Sequence, residues 1–406
     1  MKILQISKKF PIPKLDGETI AIIEMGKALI AQGCEVSLLT MNTSRHFNNQ
    51  DINDIKALSH YKSVHAVPVD NEIKFVEALS NLFSSDSYHI SRFISDDFEK
   101  KLIELLEATD YDIVQLETLY LAPYVEAIKA NSNAMVVMRA HNIEHEIWDR
   151  ISKQIKFFPK KWYLSYLSKK LKNFEIQKLN DYDFLVAITD RDLKKFQELG
   201  YKNGCIATPV GFEYQNYIPD YKSFEKEIKL SFIGSLDWMP NIEGLNWFFE
   251  HVWPSISAQY PDIQFHFTGR NAPSHLKNIQ LKNVFFHPDE ACAHEFINAY
   301  SIMIVPLLAG SGIRIKILEG MALGKVIITT NIGLEGIPAK HKEQLLIANT
   351  PEEFLAAIGY CVENKDQLIS IGQNARQFIK SHFDSQKLTQ NLIHAYKHAI
   401  KEYNTH

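Results

Sequence analysis

The sequence predicts an α/β protein made of two Rossmann-like parallel-sheet domains facing each other across a cleft. Short apolar runs of strand character alternate with amphipathic helical segments along most of the chain, a pattern that gives parallel sheets covered on both faces. The alternation lapses over 208–227 (TPVGFEYQNYIPDYKSFEKE), which mixes Pro, Gly, aromatic and charged residues without a period, and then restarts. The length of 406 residues exceeds what one core usually organises. The domains are therefore expected at 1–207 and 228–384, with 208–227 as the linker.

The first half opens with a strand, Lys2 to Ile6, and a loop rich in Lys and Pro. From Gly17 a helix of roughly 15 residues runs to near Gly33, with Ile20, Ile23, Ala28 and Leu29 toward the sheet. Strands follow at 34–40, 112–117, 134–139, 184–189 and 204–208, with helical patterns near 95–109, 120–130 and 160–181 between them. Residues 42 to 100 between them read as polar loops with one or two short helices. The second half offers strands at 228–234, 263–269 and 283–287, helices at 241–257 and near 291–299, and terminal helices at 351–363, 365–380 and 385–402.

The centre of the second half is SIMIVPLLAGSGIRIKILEGMALGKVIITTNIGLEG, residues 301–336. An apolar strand, a glycine loop, a helix closed by Gly324 and a β-branched strand make a βαβ unit. Its loop lies at the carboxyl edge of the sheet, where open α/β folds bind ligands. Arg314 and Lys316 fall in the first turn of that helix, against the dipole preference for acids there. Two cations placed where they cost helix stability point to an anionic ligand, a phosphate.

The two readings of this loop are thus a phosphate site and a basic first turn in water beside a simple turn.

Composition narrows the function classes. Lys and Arg total 44 against 48 Asp and Glu, a net charge of −4, which argues against nucleic acid as a partner. Four scattered cysteines (Cys34, Cys205, Cys292, Cys361) lack a CxxC pair and suit a reducing cytoplasm better than a disulfide framework or a zinc site. No apolar stretch reaches 18 residues, and the N-terminus holds too short an apolar run for a signal peptide. Residues 150–174 carry eight Lys or Arg and no acid, with Phe157, Phe158, Trp162, Tyr163 and Tyr166 among them. Such a helix seats a protein peripherally on an anionic membrane surface, or packs its aromatics on its own domain behind the Leu164, Leu167 and Leu171 stripe. His141, just beyond the 134–139 strand, stands at a carboxyl edge as a hydrogen-bond donor, a proton carrier or a loop anchor.

With PLLAGSGIRIKILEGMALGKVIITTNIGLEGI and FIGSLDWMPNIEGLNWF in view, the chain resembles the family 4 glycosyltransferases. This is the large retaining group with the GT-B fold, and the similarity points to its bacterial exopolysaccharide and cell-surface branch. The resemblance implies a nucleoside-diphosphate sugar as donor, no cofactor, a glycan or lipid-linked hydroxyl as acceptor, and a final helix that crosses back onto the first domain. It makes Glu319 the ribose ligand, lets Gly310, Ser311 and Gly312 offer N–H groups to the sugar-phosphate, and puts His141 at the donor sugar. Gly17 matches one glycine of a pair, whose other place holds Asp16. Two family positions differ. Ser311 stands where the first glutamate of the E-x7-E motif belongs, and Ser235 and Asn241 stand where an Arg and a Lys clamp the diphosphate. Gly234 lies beside the missing clamp, and Arg314, Lys316 and, more remotely, Arg270 are the replacement cations. Asp110-Tyr111-Asp112 and Asp181-Tyr182-Asp183 fit a D-x-D pattern, but both precede strands at the amino edge and read as turn residues, so no metal is expected. The rival functions are a GT-B-fold epimerase and a non-catalytic partner subunit.

Overall fold

The computed structural model describes residues 1–12, 17–44, 48, 55–72, 87–155, 157–288, 290, 292–310 and 312–403. The chain divides into two compact units, Met1–Gly211 with Ser385–His406, and Phe212–Asp384.

The first unit is built on seven strands: β1 (Lys2–Ser7), β2 (Glu35–Thr43), β3 (Ser63–Val69), β4 (Ile113–Leu116), β5 (Met135–Ala140), β6 (Phe184–Ala187) and β7 (Gly204–Ala207). Their order is β3-β2-β1-β4-β5-β6-β7, and every pairing is parallel. Successive side chains point to opposite faces. Leu4, Ile6, Val114, Leu116, Val136 and Met138 therefore enter one core, and Ile3, Val36, Leu38, Ile113, Met135 and Val137 enter the other. The second core is closed by the Gly17–Ala31 helix and by Leu392, Ile393 and Tyr396 of the Ser385–Tyr403 helix.

Two local expectations are corrected here. Residues 42–100 contain β3, which the sequence hides because Pro68 interrupts its apolar run. Proline is tolerated there because β3 is an edge strand with only β2 to bond. On the first helix, Ile23 and Leu29 are buried as expected, but Ala21, Ile22 and Met25 are buried where Ile20 and Ala28 are only half-buried. Tyr61 lies across Gly26, where an added Cβ would meet its ring at 2.7 Å, and so covers a wider face of the helix than the sheet alone.

The second unit holds β8 (Lys229–Ile233), β9 (Gln264–Thr268), β10 (Val284–His287), β11 (Ile302–Val305), β12 (Val326–Thr329) and β13 (Leu346–Ile347). Their order is β10-β9-β8-β11-β12-β13, again all parallel. The short β13 has no counterpart in the sequence reading. The expected 241–257 helix is Met239–Trp247 and Trp253–Gln259 joined by one π turn, Phe248–Val252. Pro254 has no N–H to give the preceding turn, which accounts for the break. Residues 212–227, read as a linker, are built into this unit. Phe224 enters its core, Lys325 Nζ donates to the Asp220 and Asn298 carbonyls at 2.6 and 3.1 Å, and Arg376 donates to the carbonyls of Tyr214, Tyr217 and Ala322.

Each sheet reverses its strand order once, between β1 and β4 and between β8 and β11, and the loops that leave those strands' carboxyl ends flank a crevice. Tyr396 shows how firmly the last helix joins the first unit: it is fully buried, and its hydroxyl donates to Gln115 Oε1 at 2.8 Å. Tyr396→Ala is expected to destabilise the first unit by about 3–5 kcal/mol. Tyr396→Phe, which leaves only the Gln115 oxygen unpaired, is expected to lose about 1–3 kcal/mol. Urea unfolding of the full chain measures both.

Candidate functional site

In the second unit, β8 runs out at Gly234 and β11 at the Pro306–Gly312 loop, on the two sides of the strand-order reversal. Gly310 (φ +125°) and Gly312 (φ +77°) adopt backbone conformations that side chains disfavour, so this loop depends on its glycines. The helix that follows is Ile315–Ala322, ended by Gly324 at φ +68°.

Arg314, expected inside the first turn, is instead the N-cap residue with extended backbone. Its guanidinium folds over its own loop: NH1 donates to the Gly312 carbonyl at 2.8 Å, and NH2 lies 2.5 Å from where a Cβ on Gly310 would stand. Lys316 takes the other direction. Its Nζ donates to Asn241 Oδ1 at 2.8 Å, lies 4.3 Å from the centre of the Phe232 ring, and would be 2.5 Å from a Cβ on Gly234. Asn241 in turn donates from Nδ2 to the Ser235 carbonyl at 2.8 Å. The two positions that lack cations in the sequence are thus joined by Asn241 and served by an ammonium from another element. Burial, and then the nearby Arg314 charge, push Lys316 down to about 7 from its ordinary 10.5.

Glu319 lies one turn further along, largely shielded, with His294 Nε2 at 3.9 Å from Oε1 and Tyr217 packed on the His294 ring at 4.6 Å. Arg270 is exposed just beyond β9, its carbonyl accepting from Leu236 N–H at 2.8 Å. Ser311 and Asp16 lie outside the described residues.

In the first unit, His141 follows β5 directly and its Nε2 is 2.9 Å from Glu117 Oε2. Glu117, just past β4, is the hub. Its Oε1 accepts from Gln5 Nε2 at 2.5 Å and Gln115 Nε2 at 2.6 Å, and its Oε2 also accepts from Arg139 NH1 at 2.9 Å. Gln5 and Gln115 are register partners on β1 and β4, and Tyr61 and Tyr396 hydroxyls donate to their amide oxygens. Burial alone would raise the Glu117 carboxyl, but Arg139 and then His141 bring it down to about 2. Burial lowers His141 from its ordinary value, against the pull of Glu117, and so favours the neutral imidazole. A neutral ring that donates Nε2–H to Glu117 presents its Nδ1 lone pair as an acceptor.

Beside His141 stand groups that the sequence reading left without a role. Gly17 opens the first helix, and the next residue, Glu18, pairs with Lys8 at 3.5 Å and Lys9 at 3.1 Å. Burial opposes its ionisation, yet Lys8 and Lys9 hold it near 2. Glu144 accepts from the Tyr120 hydroxyl at 3.1 Å, and burial raises it to about 7. Glu18 is a fixed anion, while Glu144 can exchange a proton with a hydroxyl near neutral pH. The signal for this site was present in the strands: KILQIS, DIVQLE and MVVMRA each carry a polar residue where a buried strand wants an apolar one. The aspartates of the two D-x-D triplets serve the opposite edge. Asp112 accepts from Lys2 N–H at 2.7 Å, and Asp183 accepts from Val136 N–H at 2.8 Å.

Glu117 makes the first unit acid-sensitive with a definite sign. Its carboxyl is ordinarily near 4.5 and about 2 when folded, so its stabilisation is complete above about pH 4.5 and lost as pH falls through about 2. Glu117→Gln leaves the Arg139 charge buried without a counter-charge and is expected to destabilise the unit by about 3–5 kcal/mol at pH 7. The difference from wild type is expected to shrink toward pH 2 in urea unfolding.

Residues 227–364, all in the second unit, match the family model described as Glycosyl transferases group 1. A Klebsiella pneumoniae protein described as an uncharacterized 44.6 kDa protein in cps region is 24% identical over 307 residues, covering 72% of this chain and 75% of that protein. An uncharacterized glycosyltransferase of Methanocaldococcus jannaschii is 24% identical over 263 residues, 61% of this chain and 58% of that one. Among solved structures, sucrose-phosphate synthase from Thermosynechococcus elongatus matches with a TM-score of 0.75 at 15% identity, over 99% of this chain and 100% of the other. Anabaena HepE in complex with UDP matches with a TM-score of 0.69 at 14% identity, over 98% and 100%. Over residues 227–364 the chain thus matches the glycosyl transferases group 1 model, and as a whole it has the GT-B fold.

Proposed function

We propose that this chain is a retaining, metal-independent hexosyltransferase. It moves a sugar from a nucleoside-diphosphate sugar to a hydroxyl of a glycan or lipid-linked acceptor, in the cytoplasm, during surface polysaccharide or glycan synthesis. The observation that carries the reading is the seat of Lys316 Nζ against Gly234 and Asn241, at the strand-order reversal of the group 1 domain. That seat restores a cation where Ser235 and Asn241 supply none, and so favours catalysis over a non-catalytic partner subunit. HepE, similar in fold, has been solved with UDP and with UDP-glucose.

Departure of the nucleoside diphosphate develops negative charge on its leaving oxygen. Lys316, the Gly310 and Gly312 backbone N–H groups and the positive end of the Ile315–Ala322 helix are the groups that would stabilise it. Arg314 holds the loop and adds its charge to the same field. Glu319 is assigned to the ribose hydroxyls. His141, with Nδ1 as acceptor, is assigned to a sugar hydroxyl, and front-side attack with the leaving phosphate as base needs no enzyme nucleophile.

Two outcomes test this reading. UDP and the other nucleoside diphosphates are screened by thermal shift and titration calorimetry, since ligand at 100 times Kd adds about 2.7 kcal/mol of stability. Glu319→Ala is expected to weaken the best of them by about 1.5–3 kcal/mol without lowering the melting temperature of the free chain. Unchanged affinity removes Glu319 from the site. The second outcome is a pH dependence. A bound diphosphate requires charged Lys316, which in the free chain loses its proton near 7. Affinity is therefore expected to fall up to about tenfold per pH unit between about 7 and 9, with proton uptake on binding. Lys316→Arg is expected to flatten the profile, because a guanidinium stays charged throughout.

A further inference from the structure

One surface of the first unit has no part in the chemistry above: the start of the Phe158–Lys178 helix. The second half of that helix is anchored, with Leu167 and Leu171 buried and Leu171 in the core. Its beginning is not. Phe157 is 67% exposed, Phe158 76% and Trp162 58%, and Pro159, Lys160 and Lys161 between them are exposed as well. Single exposed apolar residues are ordinary, but three large ones within six residues form a patch. Phe158, Trp162 and Tyr166 are each four apart and so share a helix face. The Trp162 and Tyr166 rings stack at 5.9 Å and 6°, and Lys170 Nζ lies 5.0 Å from the Tyr166 ring centre. The stripe is held in place by its own contacts.

Charge decides between occupants. From Arg150 to Phe174 there are eight Lys or Arg and no Asp or Glu. A second copy meeting this patch about a two-fold axis would oppose like charges. An anionic bilayer complements it: aromatic rings settle at the headgroup level, and ammonium groups on long stems reach anionic headgroups.

We propose that residues 157–162, with Tyr166 behind them, are a docking tip for an anionic lipid bilayer, in which Phe157, Phe158 and Trp162 insert while Lys160 and Lys161 engage the headgroups. The tip lies wholly in the first unit and does not rest on the donor chemistry of the second, so vesicle binding and nucleotide binding fail independently. A chain held this way would favour hydroxyl acceptors carried on lipid.

The full chain is sedimented with vesicles of about 30 mol% phosphatidylglycerol in phosphatidylcholine, and with pure phosphatidylcholine vesicles, at about 0.05 M salt. Partition onto the anionic vesicles is expected to exceed the neutral ones by about ten-fold or more, and to fall as salt rises to about 0.5 M. Lys160→Gln and Lys161→Gln are each expected to weaken it about five-fold. The triple variant Phe157→Ser, Phe158→Ser, Trp162→Ser is expected to lose about ten-fold or more. All keep the wild-type melting temperature, because the altered side chains are exposed. Equal partition onto both vesicle types, or none onto either, overturns the proposal. So does a wild-type dimer in light scattering that the triple variant dissociates, which would give the tip to a second copy.

Discussion

A parallel sheet whose strand order reverses leaves one place along its carboxyl edge where neighbouring loops run apart, and both units of this chain depend on that constraint. Every charged group of interest is drawn there. Glu117, His141 and the Lys8–Lys9–Glu18 cluster gather at the ends of β1, β4 and β5, and Lys316, Arg314 and Glu319 lie around the ends of β8 and β11. Elsewhere both strand faces are covered by apolar cores that have no use for a charge.

The two sites use burial in opposite ways. Glu117 is fully buried and takes hydrogen bonds from four side-chain donors, so its ionised form is over-determined. Such a carboxylate is a fixture, and it fixes His141 with it: the ring cannot turn without breaking a bond to a buried charge. Lys316 has one amide oxygen and an aromatic face, and Arg314 lies close enough to repel it. A fall from 10.5 to about 7 represents on the order of 5 kcal/mol of lost preference for the charged form. The first site favours the charged form of its carboxyl, while the second disfavours the charged form of its amine.

Much of this was legible from residue order. Strand and helix alternation outlined eleven of the thirteen described strands, and the loop at 309–312 stood out because glycines precede a helix carrying cations at its start. Legibility ended where a side chain's meaning depends on a distant partner. Pro68 hid β3 because only the sheet, not the segment, says which strand is an edge. Gln5, Gln115 and Arg139 are blemishes in apolar runs until register sets the two glutamines side by side and Glu117 between them and the arginine. Ser235 and Asn241 stand where the family resemblance expects cations, but only the folded chain sets Lys316, 75 residues away from Asn241, against that place.

The separate directions of Arg314 and Lys316 follow from the helix boundary. Arg314 is extended, so its side chain can fold back over the glycines, whereas Lys316 is already helical and projects toward β8. Residues two apart do not share a helix face, so neither can take the other's place. Both charges stand at the positive end of the helix dipole, which opposes them as much as they oppose each other. An anion placed between them and the loop N–H groups would relieve all three repulsions at once, and it would do so more strongly as negative charge grows on a leaving phosphate. A cation supplied from a strand loop would lack that opposition in the free chain and would gain less from the same anion.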